Sequence, residues 1–152
     1  GIGEPLSMSQ KDGLIPTSQM DVVPNLATSY VGAKRTKIGD MVLNKLKAHL
    51  GVFALSAYDG LVSPDYAVYY GTGRADLEYL EYLFKTPLYV SEFIKKTTGV
   101  AIGFNRLYTD DLFSIPAHYP PMQEQKRIID YLKDKILKIE QYVSARERER
   151  AA

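Results

Sequence analysis

Tyr119-Pro120-Pro121-Met122-Gln123-Glu124-Gln125-Lys126-Arg127-Ile128-Ile129-Asp130-Tyr131-Leu132 decides how the chain divides. Proline has no backbone N–H and pushes the residue before it into extended conformations, so the diproline ends whatever precedes it. From Met122 onward there is no Gly or Pro. That stretch is expected to run as one helix to about Arg150, roughly 43 Å at 1.5 Å per residue. Ile129, Leu132, Ile136, Ile139 and Val143 are spaced 3, 4, 3, 4. A two-per-seven apolar stripe is a coiled-coil seam and implies a partner helix. The competing reading is a helix lying on its own domain, which usually needs a wider apolar face. The next seam positions are Arg146 and Arg150, so the seam stops at Val143.

Upstream of the diproline, short apolar stretches alternate with Gly, Pro, Ser and Asp. Residues 1–120 are expected to form a compact head and 121–152 the helix. The opening is broken by Gly13, Pro16 and Pro24, with Leu14-Ile15 and Asp21-Val22-Val23 as short strands. Ile38-Gly39-Asp40 turns the chain into Met41-Val42-Leu43. Val52–Ala57 reads as a buried strand, Asp59-Gly60 as a turn, and Tyr66–Tyr70 as a further strand; together they predict a meandering sheet. Leu77, Leu80, Leu83 and Phe84 repeat at helical spacing over Ala75–Lys85. Pro87 permits a second short helix with Leu88, Phe93 and Ile94 as its apolar face, and Leu107–Ile115 reads as extended. The expected class is α+β: a curved mixed or antiparallel sheet with short helices, followed by one long coiled-coil-forming helix.

The chain has 152 residues, 45% hydrophobic and 24% charged, which suits one globular domain and argues against wholesale disorder. Net charge is +1, so any basic surface must be local. There is no Cys, which excludes disulfides and thiol nucleophiles and suits a reducing cytoplasm. Two separated His residues argue against a histidine-rich metal site. No run approaches the roughly 18 apolar residues of a membrane span, and the opening does not read as a signal peptide. Twelve Tyr against no Trp suit a recognition surface as well as a half-wet core.

One segment stands out by charge. Lys34, Arg35, Lys37, Lys45 and Lys47 fall within fourteen residues with only Asp40 opposing, whereas residues 1–120 together carry eleven basic and twelve acidic side chains. Tyr30, Thr36, Asn44 and His49 interleave with them. Cations neutralise phosphates and release counterions, while polar side chains read base edges. A solvated lysine-rich loop has the same composition. Asp110-Asp111 read as turn or cap residues, and Glu78 and Glu81 as a solvated helix face. Pro64-Asp65 with Glu124-Gln125-Lys126 superficially matches the Pro-Asp…Glu-x-Lys pattern of metal-dependent nucleases, but Glu124 opens the long helix instead of lying on a strand. Gly71-Thr72-Gly73-Arg74 lacks the rest of a phosphate loop, and neither Gly-x-Ser-x-Gly nor Asn/Asp-Pro-Pro-Tyr occurs. These residues describe a binding module with a helical docking arm, with no catalytic residue, metal or cofactor.

Several stretches resemble the conserved thread of type I restriction–modification specificity subunits. They are Gly39-Asp40-Met41-Val42-Leu43-Asn44-Lys45-Leu46, Leu50-Gly51-Val52-Phe53-Ala54-Leu55, Gly60-Leu61-Val62-Ser63-Pro64-Asp65-Tyr66 and Tyr79-Leu80-Glu81-Tyr82-Leu83-Phe84-Lys85-Thr86-Pro87. The strongest are Asp111-Leu112-Phe113-Ser114-Ile115-Pro116 and the diproline stretch quoted first. The resemblance covers roughly residues 36–143. It implies a target recognition domain followed by a conserved helix. In that family two such domains each read one half of a split site in double-stranded DNA. The two helices pair as an antiparallel coiled coil and dock methyltransferase (modification) subunits. The specificity subunit is itself non-catalytic; with a motor-nuclease (restriction) subunit the assembly translocates and cleaves. This chain departs from the full pattern in having one domain and one helix. It also lacks the usual Gly-Trp opening, of which Gly3-Glu4 matches the tail. It is therefore expected to be a half-subunit or a fragment that restores the complete arrangement as a homodimer.

On this reading Lys34, Arg35, Lys37, Lys45 and Lys47 hold phosphates. Asn44, Tyr30 and His49 meet base edges or orient the lysines, and Lys11, Lys95 and Lys96 widen the footprint. Arg106 serves either the footprint or a structural ion pair. Ser63-Pro64 and Asp111–Pro116 belong to the scaffold. Two other classes remain: a coiled-coil scaffold protein without DNA affinity, and a Mg²⁺-dependent nuclease using Asp65.

Overall fold

The computed structural model describes residues 3–20, 31–97 and 106–151. The strand expected at Asp21–Val23 lies outside them. The protein is α+β, with small antiparallel sheets and one long helix at the C-terminal end. Among the described residues, three sheets replace the single meander. Strands β1 (Leu6–Ser9) and β2 (Gly13–Pro16) form a hairpin. β3 (Lys34–Thr36) pairs with β6 (Gly60–Val62). A three-stranded sheet has β4 (Met41–Asn44) at its centre, flanked by β5 (Phe53–Leu55) and β7 (Tyr66–Tyr69). The three strands expected of the meander are present, but the chain between the second and third leaves the sheet to pair with β3. It therefore returns on the opposite side of β4.

The centre of the fold follows from β4. All four of its residues are buried, because apolar layers cover both faces of the sheet. Met41 and Leu43 point to one side and join Phe53, Ala67, Tyr89, Phe93, Leu107, Leu112 and Ile115. Val42 points to the other and joins Ala54, Val52, Val62 and the hairpin residues Leu6, Met8 and Leu14. Alternation along a strand makes this division.

Two short helices cover the first of these clusters. Helix α1 (Leu77–Phe84) starts at Asp76, whose carboxylate accepts from the Glu78 N–H at 2.9 Å. Its Leu77, Leu80, Leu83 and Phe84 pack on the core, as their spacing predicts. Helix α2 (Pro87–Lys96) opens with Pro87 in its first turn and buries Tyr89 and Phe93, whereas Leu88 and Ile94, expected on its apolar face, are exposed.

The segment Leu107–Ile115 is not extended. Thr109–Phe113 forms a short helix, α3, with Asp110 and Asp111 in its first turn, where carboxylates meet unpaired N–H groups. Helix α4 runs Met122–Ala151, close to the expected bounds. None of the described helices is long and apolar enough to cross a membrane.

Gly60 is placed where β6 meets the N-terminal segment. The Leu61 N–H donates to the Glu4 carbonyl at 2.8 Å, and a Cβ on Gly60 would lie 2.5 Å from that same oxygen and 2.7 Å from the Leu6 side chain. Gly60→Ala is expected to destabilise the fold by about 1–3 kcal/mol. The readout is a lower urea midpoint at unchanged slope. An unmoved midpoint would mean that the N-terminal segment does not seat on β6.

Candidate nucleic-acid interface

The basic segment does not form one patch. From Lys34 the chain follows β3, turns at Lys37–Asp40, and comes back along β4. The turn is held at the Met41 end of β4. There the Gly39 N–H donates to the Ser56 carbonyl at 2.8 Å, the Ile38 N–H to the Asp59 carboxylate at 2.8 Å, and the Lys37 N–H to the Asp40 carboxylate at 2.8 Å. Lys45 and Lys47 follow the other end of β4, about 13 Å away for four strand residues. Lys37 is thereby separated from the rest of the group.

At the Asn44 end the charges gather. The Lys34 ammonium donates to the Pro64 carbonyl at 2.8 Å and to the Tyr66 carbonyl. Burial and the neighbouring Lys45 charge hold its pKa below the usual lysine value, with Asp65 acting the other way. The Asp65 carboxylate accepts from the Arg106 guanidinium at 2.7 Å, and the Leu107 N–H donates to the Lys45 carbonyl at 3.1 Å. Lys34, Lys45 and Arg106 thus share one neighbourhood around the Asp65 carboxylate. Arg106 comes from a distant part of the chain, 41 residues from Asp65, and its membership is decided by the fold.

The candidates divide by what their side chains do. Lys34 is partly buried and braces the turn before β7, so its ammonium is committed to backbone carbonyls and contributes to the surface mainly through its charge. Lys47 is exposed, at a kink inside the Lys45–Leu50 3-10 segment, and Arg35 is exposed on β3. Asn44 corrects the sequence expectation of a base-edge reader. It is 6% exposed, and its side-chain carbonyl accepts from the Leu46 N–H at 3.1 Å to cap that segment. The neighbouring Tyr66 hydroxyl accepts from the Met8 N–H at 3.4 Å, and burial raises its pKa. His49 turns Nδ1 into the interior, where no partner among the described residues meets it, so that atom is not offered to a base. Lys11 stands exposed at the tip of the β1–β2 hairpin. Lys95 and Lys96 close α2, with Lys95 paired to Glu92. Tyr30 lies outside the described residues.

The acidic candidates are committed to the scaffold. Glu78 pairs with Lys133 of α4 at 2.7 Å. Glu81 pairs with Lys85 and accepts from the Leu55 N–H at 3.3 Å, tying α1 to the edge of β5. Neither is a merely solvated residue. Asp65 is engaged by Arg106, and Glu124 lies in the first turn of α4.

A second feature was not legible from spacing. A groove of about 760 Å³ runs between β7, α1 and α3, lined by Tyr69, Tyr70, Leu77, Phe113 and Tyr119, with Arg74 at its side. Tyr70 and Phe113 are 80% and 70% exposed. Its walls come from β7, α1, α3 and the segment before α4, so no local spacing announces it.

The seam of α4 is divided. Ile129 is 4% exposed and packs on the head, which corrects the expectation that it serves a partner helix. Leu132 is partly covered. Ile136, Ile139 and Val143 are 40%, 62% and 46% exposed, and Leu137 beside them is 54% exposed. The reading of a helix lying on its own domain describes the first turns, while the later ones project from the head with their stripe uncovered.

No family model matches the chain, and no curated protein matches it.

Proposed function

We propose that the chain reads one half of a split site in double-stranded DNA, as a specificity subunit of a type I restriction–modification system, and catalyses nothing itself. The observation that carries this reading is the joint placement of two features. A cation cluster drawn from Lys34, Lys45 and Arg106 is braced on a rigid sheet end, with Lys47 close by. A 30-residue helix leaves the same head with an apolar stripe uncovered. The cluster suits phosphates, whose neutralisation releases counterions. The stripe suits a second helix, which is all that a single recognition head lacks in order to address two half-sites. The resemblance of residues 36–143 to the family supports the same reading. Methyltransferase and motor-nuclease subunits are then the partners of the assembled dimer.

Fluorescence anisotropy with random-sequence duplexes between 50 and 200 mM salt tests the DNA half of the proposal. Affinity is expected to fall linearly in log–log form, by about 0.9 log units per tenfold salt for each phosphate contacted. A chain with no measurable salt-dependent affinity is a coiled-coil scaffold instead. Sedimentation tests the helix half. Ile139→Glu with Val143→Glu is expected to raise the dimer dissociation constant at least about 100-fold, since each buried aliphatic side chain is worth about 1.5–3 kcal/mol. The thermal midpoint of the monomer should stay in place, because both positions are solvent-exposed there. Unchanged self-association would remove this stripe from the interface.

A further inference from the structure

We propose that Gln125 is a positioning residue whose buried carboxamide sets the direction in which the long helix leaves the head. Gln125 is 0% exposed, although it lies in a helix whose later turns are all in solvent. Its side-chain carbonyl accepts from the Asp76 N–H at 2.8 Å, and its amide donates to the Pro120 carbonyl at 2.7 Å. Asp76 is the residue that caps α1. One side chain therefore ties together the start of α1, the diproline and the first turn of α4.

Only glutamine among residues of this length both accepts and donates here. Glutamate has no donor for Pro120, and leucine leaves both backbone groups unpaired in the interior.

Two further contacts continue the same face of α4. Ile129, four residues on, is buried against the head, and Lys133, four further on, pairs with Glu78 of α1 at 2.7 Å. Positions spaced by four lie above one another on a helix, so α4 lies along α1 for its first turns. Lys133 is exposed, and its hydrogen bond to Glu78 raises its pKa. That outer contact is weak and screened by solvent. The Gln125 bonds, shielded from water, are the directional ones.

Direction is amplified by length. From Gln125 to the end of α4 is about 39 Å, so a tilt of about 10° moves the tip by about 7 Å. That is about two base-pair steps of duplex DNA. If the proposed function holds, the Gln125 joint determines which spacing between two half-sites the paired heads accept.

The full chain contains no Cys, so spin labels can be placed cleanly at Leu88→Cys on α2 and Glu147→Cys on α4. Diluting labelled into unlabelled chain isolates the distance within one molecule. The natural sequence should give one narrow distance. Gln125→Leu and Gln125→Glu should each shift or broaden it by about 5–7 Å while the helical circular dichroism is kept. An unmoved distance in both variants overturns the proposal. Should Gln125→Leu fail to fold, Gln125→Glu, which keeps the acceptor, decides the matter.

Selection from a random duplex library then separates the joint from the function it rests on. The natural dimer should enrich a bipartite sequence at one spacing, and Gln125→Glu the same half-sites at several. A single unchanged spacing despite broadened distances overturns the role in spacing. No enrichment by the natural chain overturns the DNA reading and leaves the joint to be judged by the distances alone.

Discussion

Phe93→Ala is expected to destabilise the protein by about 3–5 kcal/mol, lowering the thermal midpoint by about 10–20 °C. Phe93 is 0% exposed and sits at the centre of an aromatic cluster. Its ring centroid lies 5.2 Å from Phe53, 5.7 Å from Phe84 in an edge-on arrangement, and 6.3 Å from Tyr89. These contacts join β5, α1 and α2, so the cavity would open between three elements that cannot all collapse into it. The damage should also reach the candidate interface. Helix α2 packs on the Lys45–Leu50 segment, where Val90 approaches Gly51. Gly51 is in the left-handed conformation (φ 67°) that ends this segment. A loosened α2 would free Lys45 and Lys47 to move, and DNA affinity should fall even below the unfolding transition. Thermal melting followed by circular dichroism measures the first effect and anisotropy at 15 °C below the midpoint the second. A loss of less than about 1 kcal/mol would show that the aromatic cluster is not the core of the head.

Reversing Lys45 and Lys47 together to Glu is expected to weaken binding to random duplexes by about 10–100-fold at 0.1 M salt. Each phosphate contact carries about 0.9 log units per tenfold change in salt, so losing two contacts should flatten the salt slope by nearly two. All sequences should be affected alike, because phosphates carry no sequence information. Lys37→Glu is the informative control. It belongs to the same run of basic residues in the chain but sits at the opposite end of β4. Its reversal should leave the slope unchanged. If Lys37→Glu flattens the slope as much as the Lys45–Lys47 pair, the footprint spans the whole segment and the proposed placement is wrong. Stability should change by no more than about 0.5 kcal/mol in Lys37→Glu, since exposed charges contribute little to folding, and by somewhat more when the half-buried Lys45 is reversed.

The elements that were legible in the sequence share one property: their pattern is self-contained. Helix α4 was bounded by Pro121 and by the lack of any later Gly or Pro, α1 by the spacing of Leu77, Leu80, Leu83 and Phe84, and β4 and β5 by uninterrupted apolar runs. The strands that were missed, β1, β3 and β6, are three or four residues long with mixed composition. They exist because a partner strand supplies their hydrogen bonds, and strand pairing has no trace in the local sequence. Helix α3 was missed for a related reason. Its five residues are too few for an apolar period to show, and burial of Leu112 with the Ser114 hydroxyl donating to the Asp111 carbonyl at 2.7 Å holds it in place.

The candidate interface shows the same division. Charge density along the chain identified residues 34–47, but proximity in sequence is not proximity in space when a strand intervenes. The strand β4 carried Lys37 away from Lys45, while Asp65 brought Arg106 in. Asn44 looked available because a polar residue among lysines gives no sign of burial. Its side chain was already used by the turn it caps.

Composition and periodicity by themselves determined that this chain has an α+β head and a long C-terminal helix with an apolar stripe, because those properties depend on residue type and repeat alone. Only the tertiary structure decided which cations stand together, which turns of the stripe, that of Ile129 first, are covered by the head, and at what angle the helix departs. Those depend on contacts between residues far apart in the chain, and the enclosed carboxamide of Gln125 joins three of its segments at once.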